Sequence, residues 1–212
     1  MTMIRTVLLL GFALALGACG SFETVARNVS VPMETPRPVP NAERHAIADI
    51  RVTVPRSLSV SEANRYYPAA DIVWHGDPPG DRHEQIAALF RDGLEKARPL
   101  TAEGRPALLD IEVDRFHGIT PRARYTTGGV HSISFTLTLR DPETGVPVSE
   151  PRRIRADLRA LGGARAISAE NRGITQKVRI VDHLARVFVT EMTDPEGYRG
   201  VNTGLYGLIN LL

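Results

Sequence analysis

Six histidines and a large store of arginine are the side chains through which this chain could do chemistry. Arg115-Phe116-His117, Ala123-Arg124-Tyr125 and His131 flank one long connection between two alternating segments. If those segments pair as a hairpin centred near Arg124, His117 and His131 fall opposite each other. Arg115, Arg124 and Tyr125 then crowd the same end of a sheet. Arginine beside histidine and tyrosine suits a carboxylate or phosphate group, because a guanidinium offers either one two parallel hydrogen bonds. Connections of this length are often functional. The plainer reading is a polar loop whose side chains bond its own backbone. A second set, His75, Asp77, Asp81 and His83, lies within nine residues of a Pro/Gly-rich stretch. Divalent ions accept such ligands, but Asp81 and Glu84 already have the spacing of a helix cap. No metal and no other cofactor is therefore expected. G-x-S-x-G, H-E-x-x-H, Walker and dinucleotide fingerprints are all missing from the sequence, which favours binding over catalysis.

Composition narrows the classes further. The 212 residues are 42% hydrophobic and 24% charged, as in a globular protein. Lys+Arg 26 against Asp+Glu 24 leaves a formal charge of +2, too balanced for a domain held to nucleic acid by phosphate contacts. Of the basic residues only Lys96 and Lys177 are lysines, and the arginines are scattered through every segment. The single cysteine excludes an intrachain disulfide and a Cys-rich zinc site.

That cysteine ends an export signal. Arg5 supplies the positive start, and residues 7–16 form an apolar run too short to span a bilayer. Leu16-Gly17-Ala18-Cys19 follows and resembles the lipobox of bacterial lipoproteins at all four positions. The resemblance implies cleavage before Cys19, a diacylglycerol on its thiol and an acyl chain, such as palmitate, on the new amine. Two or more chains anchor a protein firmly, at about 0.8 kcal/mol per buried CH₂. In such lipoproteins an Asp after the cysteine commonly causes retention in the inner membrane. Gly20 stands there instead, which implies the periplasmic leaflet of the outer membrane.

Four segments are expected: a signal peptide at 1–18, a lipidated proline-rich tether at 19–45, a periplasmic domain at 46–192 and an apolar tail at 193–212. Within the domain, Ala48, Ile50, Val52 and Val54 alternate with polar residues as a strand does, and 71–74 is a second, shorter strand. Ile86, Leu89, Phe90, Gly93, Leu94 and Ala97 have helical spacing. Leu109, Ile111 and Val113 mark a further strand, as do Ile133, Phe135, Leu137 and Leu139, and then Ile154, Ala156, Leu158 and Ala160. A last helix, capped by Thr175, carries Val178, Val181, Ala185, Phe188 and Met192. A helix between strands favours a parallel crossover, and short turns favour antiparallel neighbours. The expected fold is α/β of the α+β type, with one mixed, mostly antiparallel sheet and two helices on one face.

The outward face would carry Asp110, Glu112 and Asp114 on one strand and Arg153, Arg155 and Arg159 on another. On adjacent strands these would form a charge ladder; apart, each would be a stripe open to a partner. The uncharged end, Leu205 to Leu212, either folds back on its own domain or docks on a partner. Asp71-Ile72-Val73-Trp74, Arg115-Phe116-His117, Tyr125-Thr126-Thr127-Gly128-Gly129 and Gln176-Lys177-Val178-Arg179 together resemble an uncharacterised family of alphaproteobacterial envelope lipoproteins. That resemblance implies no activity. The reading is a non-enzymatic accessory component of an envelope complex, held on the bilayer through Cys19 and bound to a protein partner. The alternative is a small-ligand binder or hydrolase using Arg115, His117, Arg124, Tyr125 and His131.

Overall fold

A computed structural model describes residues 44–200. The signal, Cys19, nearly all of the tether and the apolar end beyond residue 200 lie outside the described residues. The strands are β1 (His45–Thr53), β2 (Ile72–Val73), β3 (Arg105–His117), β4 (Gly129–Arg140), β5 (Arg152–Arg155) and β6 (Leu158–Ala160). The helices are α1 (Arg82–Ala97), α2 (Pro121–Arg124), α3 (Ala164–Glu170) and α4 (Gln176–Thr193), with a 3₁₀ turn at Arg98–Thr101.

β3 and β4 form a long antiparallel pair, and two shorter strands fill each flank. β1 and β2 lie end to end along β3, both parallel to it. β5 and β6 lie end to end along β4, both antiparallel. The parallel pairing of β1 with β3 needs a crossover, and α1 lies within that connection. This is the mixed, mostly antiparallel α+β sheet expected.

Ile111, Val113, Phe116, Ile133, Phe135, Leu137 and Ile154 point to one face and join one core with α1 and α4. Phe90 of α1 and Phe188 of α4 meet Phe135 with ring centroids 5.2 and 5.8 Å apart. Gly93 lets the helices touch: a Cβ there would stand 2.8 Å from Cβ of Leu184. Both caps form as expected. The Asp81 carboxylate accepts from the backbone N–H of His83 and Glu84, and Thr175 Oγ1 accepts from that of Val178. Among the described residues no helix is long and apolar enough to cross a membrane.

Three irregularities give the sheet its individuality. In β1 a bulge at Ala48, between Ile47 and Asp49, leaves Ala48 exposed and buries Ile47 instead, which corrects the inward place expected of Ala48. Val113 faces Phe135, but a bulge at Asp114 adds one residue, so that Arg115 faces Ser134 and His117 faces Ser132. The expected last strand is also split into β5 and β6. The Ala156 carbonyl turns away to accept from His183 Nε2 at 3.0 Å. The buried Asp157 carboxylate then accepts from the Ile133 N–H, at 3.1 Å. The alternation survives this break, because β5 and β6 keep one register against β4.

The charge ladder needs correction. The acidic strand β3 and the basic strand β5 are separated by β4. Arg153 Nε still reaches Asp114, 3.1 Å away, since the β4 residues between them, Ser134 and Thr136, are short. Asp110 is engaged by Arg140 of β4, 2.6 Å away, with Arg51 of β1 at 3.9 Å. Arg155 pairs with Asp157.

Candidate functional site

The bulge at Asp114 decides where the candidate histidines go. Continued without it, the β3–β4 ladder would set His117 opposite His131. With one extra residue His117 meets Ser132, and the two imidazoles point to opposite faces of the sheet. The expected His117–His131 pairing is thus corrected. The five candidates fall into an outer set, Arg115 and His117, and an inner set, Arg124 and His131. Tyr125 stands exposed at the rim, its hydroxyl 3.3 Å from Glu170.

The outer set lies under the irregular segment 54–71. His117 is buried, with Nε2 2.8 Å from the Pro68 carbonyl and its ring stacked on Tyr67 at 4.6 Å. The carbonyl accepts the Nε2 proton, so this nitrogen is already committed. Burial lowers the basicity of the ring, which keeps it neutral. Arg115 Nη2 donates to the Tyr67 hydroxyl at 3.1 Å.

Beside the stack opens a cleft of about 270 Å³, lined by Tyr66, Tyr67, His117, Ile119, Ala123 and Val130 among others. Tyr66 and Tyr67 are 54% and 48% exposed, so their rings remain open to a visitor. Arg122 sits over the Tyr66 ring, 5.1 Å from its centroid. Hydrogen bonds from Thr126 and Arg122 lower the pKa of the Tyr66 hydroxyl. The far wall is the connection 118–128, which contains α2. Thr120 Oγ1 caps this helix, accepting from the Ala123 N–H, and itself donates to the Arg65 carbonyl at 2.6 Å. Gly128 has φ +73° and packs backbone to backbone on Gly162, where a Cβ would lie 2.1 Å from the Gly128 nitrogen.

The inner set lies on the helix side. His131 is fully buried, and its Nδ1 accepts from the Ile119 N–H at 3.4 Å. Burial, and then the charges of Arg179 and Arg124, push its pKa down to about 3. Arg124 is 4% exposed and donates from Nε to Glu170 at 2.6 Å and from Nη1 to the Gln176 side-chain oxygen at 3.4 Å. Arg179 Nη2 donates to the Arg159 carbonyl at 2.9 Å.

The sequence marked neither Tyr66 and Tyr67 nor Arg179, Gln176 and Glu170 as site residues, although Gln176 and Arg179 lie in a segment that carries the family resemblance. An adjacent aromatic pair in a stretch without periodicity was the available signal for the tyrosines. The second set, His75 to His83, disperses into local roles. Asp77 accepts from Trp74 Nε1 and from Lys177, both at 2.7 Å. Asp81 caps α1, and His83 Nε2 lies 3.3 Å from the Leu58 carbonyl. His75 is half-buried, and burial lowers its basicity. Among the described residues no three His, Cys, Asp or Glu side chains group as a metal site needs.

Fold and cleft together define a small α+β domain with an aromatic-walled recess at one end of its sheet. The chain belongs to a family described as a family of unknown function (DUF6778), whose profile matches residues 45–207. No curated protein matches it. One solved structure, described as a "putative lipoprotein" from Caulobacter crescentus CB15, is similar at 20% identity over 50% of this chain and 79% of that one. Its TM-score is 0.33, too slight a likeness to carry over fold or role.

Proposed function

We propose that this chain is an envelope lipoprotein, acylated at Cys19 on the periplasmic leaflet of the outer membrane, whose domain works by binding rather than by catalysis. The partner is another envelope protein. It places an apolar or aromatic side chain in the cleft between Tyr66, Tyr67 and the 118–128 connection. One observation carries the binding reading: the rings are half-exposed while His117 Nε2 and the Tyr67 hydroxyl beside them are engaged. His117 Nε2 is held by Pro68 and the Tyr67 hydroxyl by Arg115, which suits a wall that holds rather than a group that attacks. The lipoprotein reading is supported by Leu16-Gly17-Ala18-Cys19 after an apolar run.

A photoreactive residue in place of Tyr66, activated in intact cells, tests this directly. A discrete protein adduct that disappears with Tyr67→Ala is expected. Adduct formation unaffected by Tyr67→Ala would remove the cleft from the proposal. The volume of about 270 Å³ lies just below the usual range of small-molecule sites, so a small organic ligand is the second reading. A small molecule retained in native mass spectrometry and lost with Tyr67→Ala, without any protein adduct, would put that reading first.

A further inference from the structure

A different place carries a further inference, independent of the cleft. On the helix side of the sheet, Arg124, Arg179 and His131 come together where α2, α4 and the start of β4 meet. Hydrogen bonds trace the junction. Ile119 joins His131 through its N–H and Gln176 through its carbonyl, at 3.4 and 3.5 Å, and Gln176 in turn accepts from Arg124. Arg179 is tied to Arg159, whose position in the β4–β6 ladder is opposite Val130, the residue next to His131.

Each of the three has a nitrogen shielded from solvent and without a hydrogen-bond partner: Arg124 Nη2, Arg179 Nη1 and His131 Nε2. These are all donors. His131 Nδ1 accepts from Ile119, so in the neutral ring the proton is on Nε2. Arg124 and His131 are both more than nine-tenths buried. Buried donors without an acceptor are costly and rare in folded proteins. The charges also fail to balance. Glu170 offsets Arg124, but among the described residues no carboxylate pairs with Arg179. Burial first, and then repulsion from the charges of Arg124 and Arg186, holds the Arg179 pKa below its usual value.

One small monovalent anion would answer both deficits, accepting from all three donors and neutralising the surplus charge. We infer that Arg124, Arg179 and His131 form an internal binding site for a chloride-sized anion. The site ties α2 and α4 to β4, so occupancy stabilises the fold rather than serving a reaction.

The test compares thermal unfolding of the mature protein in sodium chloride and in sodium gluconate at equal ionic strength, with crystals grown in bromide. Chloride is expected to raise the midpoint saturably, by about 4 °C at tenfold above the dissociation constant. Bromide should give an anomalous peak within hydrogen-bond distance of the three nitrogens. Arg179→Gln should abolish the chloride dependence. Equal midpoints in the two salts would overturn the site, as would a water without anomalous signal at that point. A chloride effect of the same size in Arg179→Gln would place the ion elsewhere and also overturn it. The wild-type crystals keep the test decisive even where the variant fails to fold.

Discussion

His131 shows how strongly one side chain can couple this fold to pH. Its pKa is pushed from an ordinary value of 6.5 down to about 3 by burial and by Arg179 and Arg124. Between those values the unfolded chain binds a proton that the native chain refuses. Stability is therefore complete above about pH 6.5 and drains away as the pH falls toward 3, by at most about 5 kcal/mol. Burial lowers the pKa of His117 and His183 as well, with the same sign. The melting temperature should drop steeply from pH 7 to pH 5. Replacing His131 by Gln should flatten that slope, whatever it does to the melting temperature at pH 7. An unchanged slope would show that the other histidines carry the effect. At the cleft, the residue-scale expectation is milder. Tyr67→Ala removes the stack on His117 from a half-exposed position, so it should cost binding far more than stability.

At the scale of elements, Asp114 and Asp157 do for the sheet what no hydrophobic residue could. The bulge at Asp114 reverses the parity of β3, sending Arg115 and His117 outward and turning Phe116 into the core. Asp157 supplies the acceptor that the Ala156 carbonyl gives up to His183, and this lets the β5–β6 edge bend without losing register. Asp157→Ala should leave the Ile133 N–H buried and unpaired, at a cost of about 1–3 kcal/mol. Asp157→Asn keeps an acceptor oxygen and should cost clearly less. Urea unfolding of both variants checks the order; equal losses would mean that the ion pair with Arg155, rather than the backbone hydrogen bond, is what Asp157 contributes. Gly128 and Gly162 work at the same scale, letting the connection that walls the cleft lie backbone to backbone on the loop after β6.

As proposed above, the whole molecule joins an anchor, a tether and a binding domain. With His45 taken up by β1, a tether of residues 20–43 would reach about 27 Å as flexible coil and about 74 Å as polyproline II, enough to hold the cleft clear of lipid headgroups. Cys19→Ser should move the protein from the membrane fraction to the soluble periplasmic fraction, with the domain's melting temperature unchanged. Persistence on the membrane would show that something other than acylation holds it there. Deleting residues 201–212 separates the two readings of the apolar end. Loss of a co-purifying protein with an unchanged melting temperature marks a docking peptide, whereas a lowered melting temperature marks a segment that covers its own domain.

Periodicity and caps alone located the main strands, the helices α1 and α4 and the face on which those helices lie, because alternation and helical stripes record burial directly. Asp81 and Thr175 were legible as caps for the same reason, since a cap depends on neighbours a few residues away. The candidate site was legible only in part. Arg115, His117, Arg124, Tyr125 and His131 do gather at one end of the sheet, yet one added residue in β3 separates the histidines onto opposite faces. Nothing local announces such a bulge, because it is set by how β3 and β4 settle against each other. Tyr66, Tyr67 and Arg179 come from distant segments, and only the closing of 54–71 over β3 and of α4 under β4 brings them to the loop. Sequence alone thus determined the main strands and the two long helices and pointed to an address at Cys19, while α2, α3 and the division of the last strand into β5 and β6 were not marked in it. Tertiary structure decided which side chains share a site, because register and the packing of remote segments are long-range properties of the folded chain.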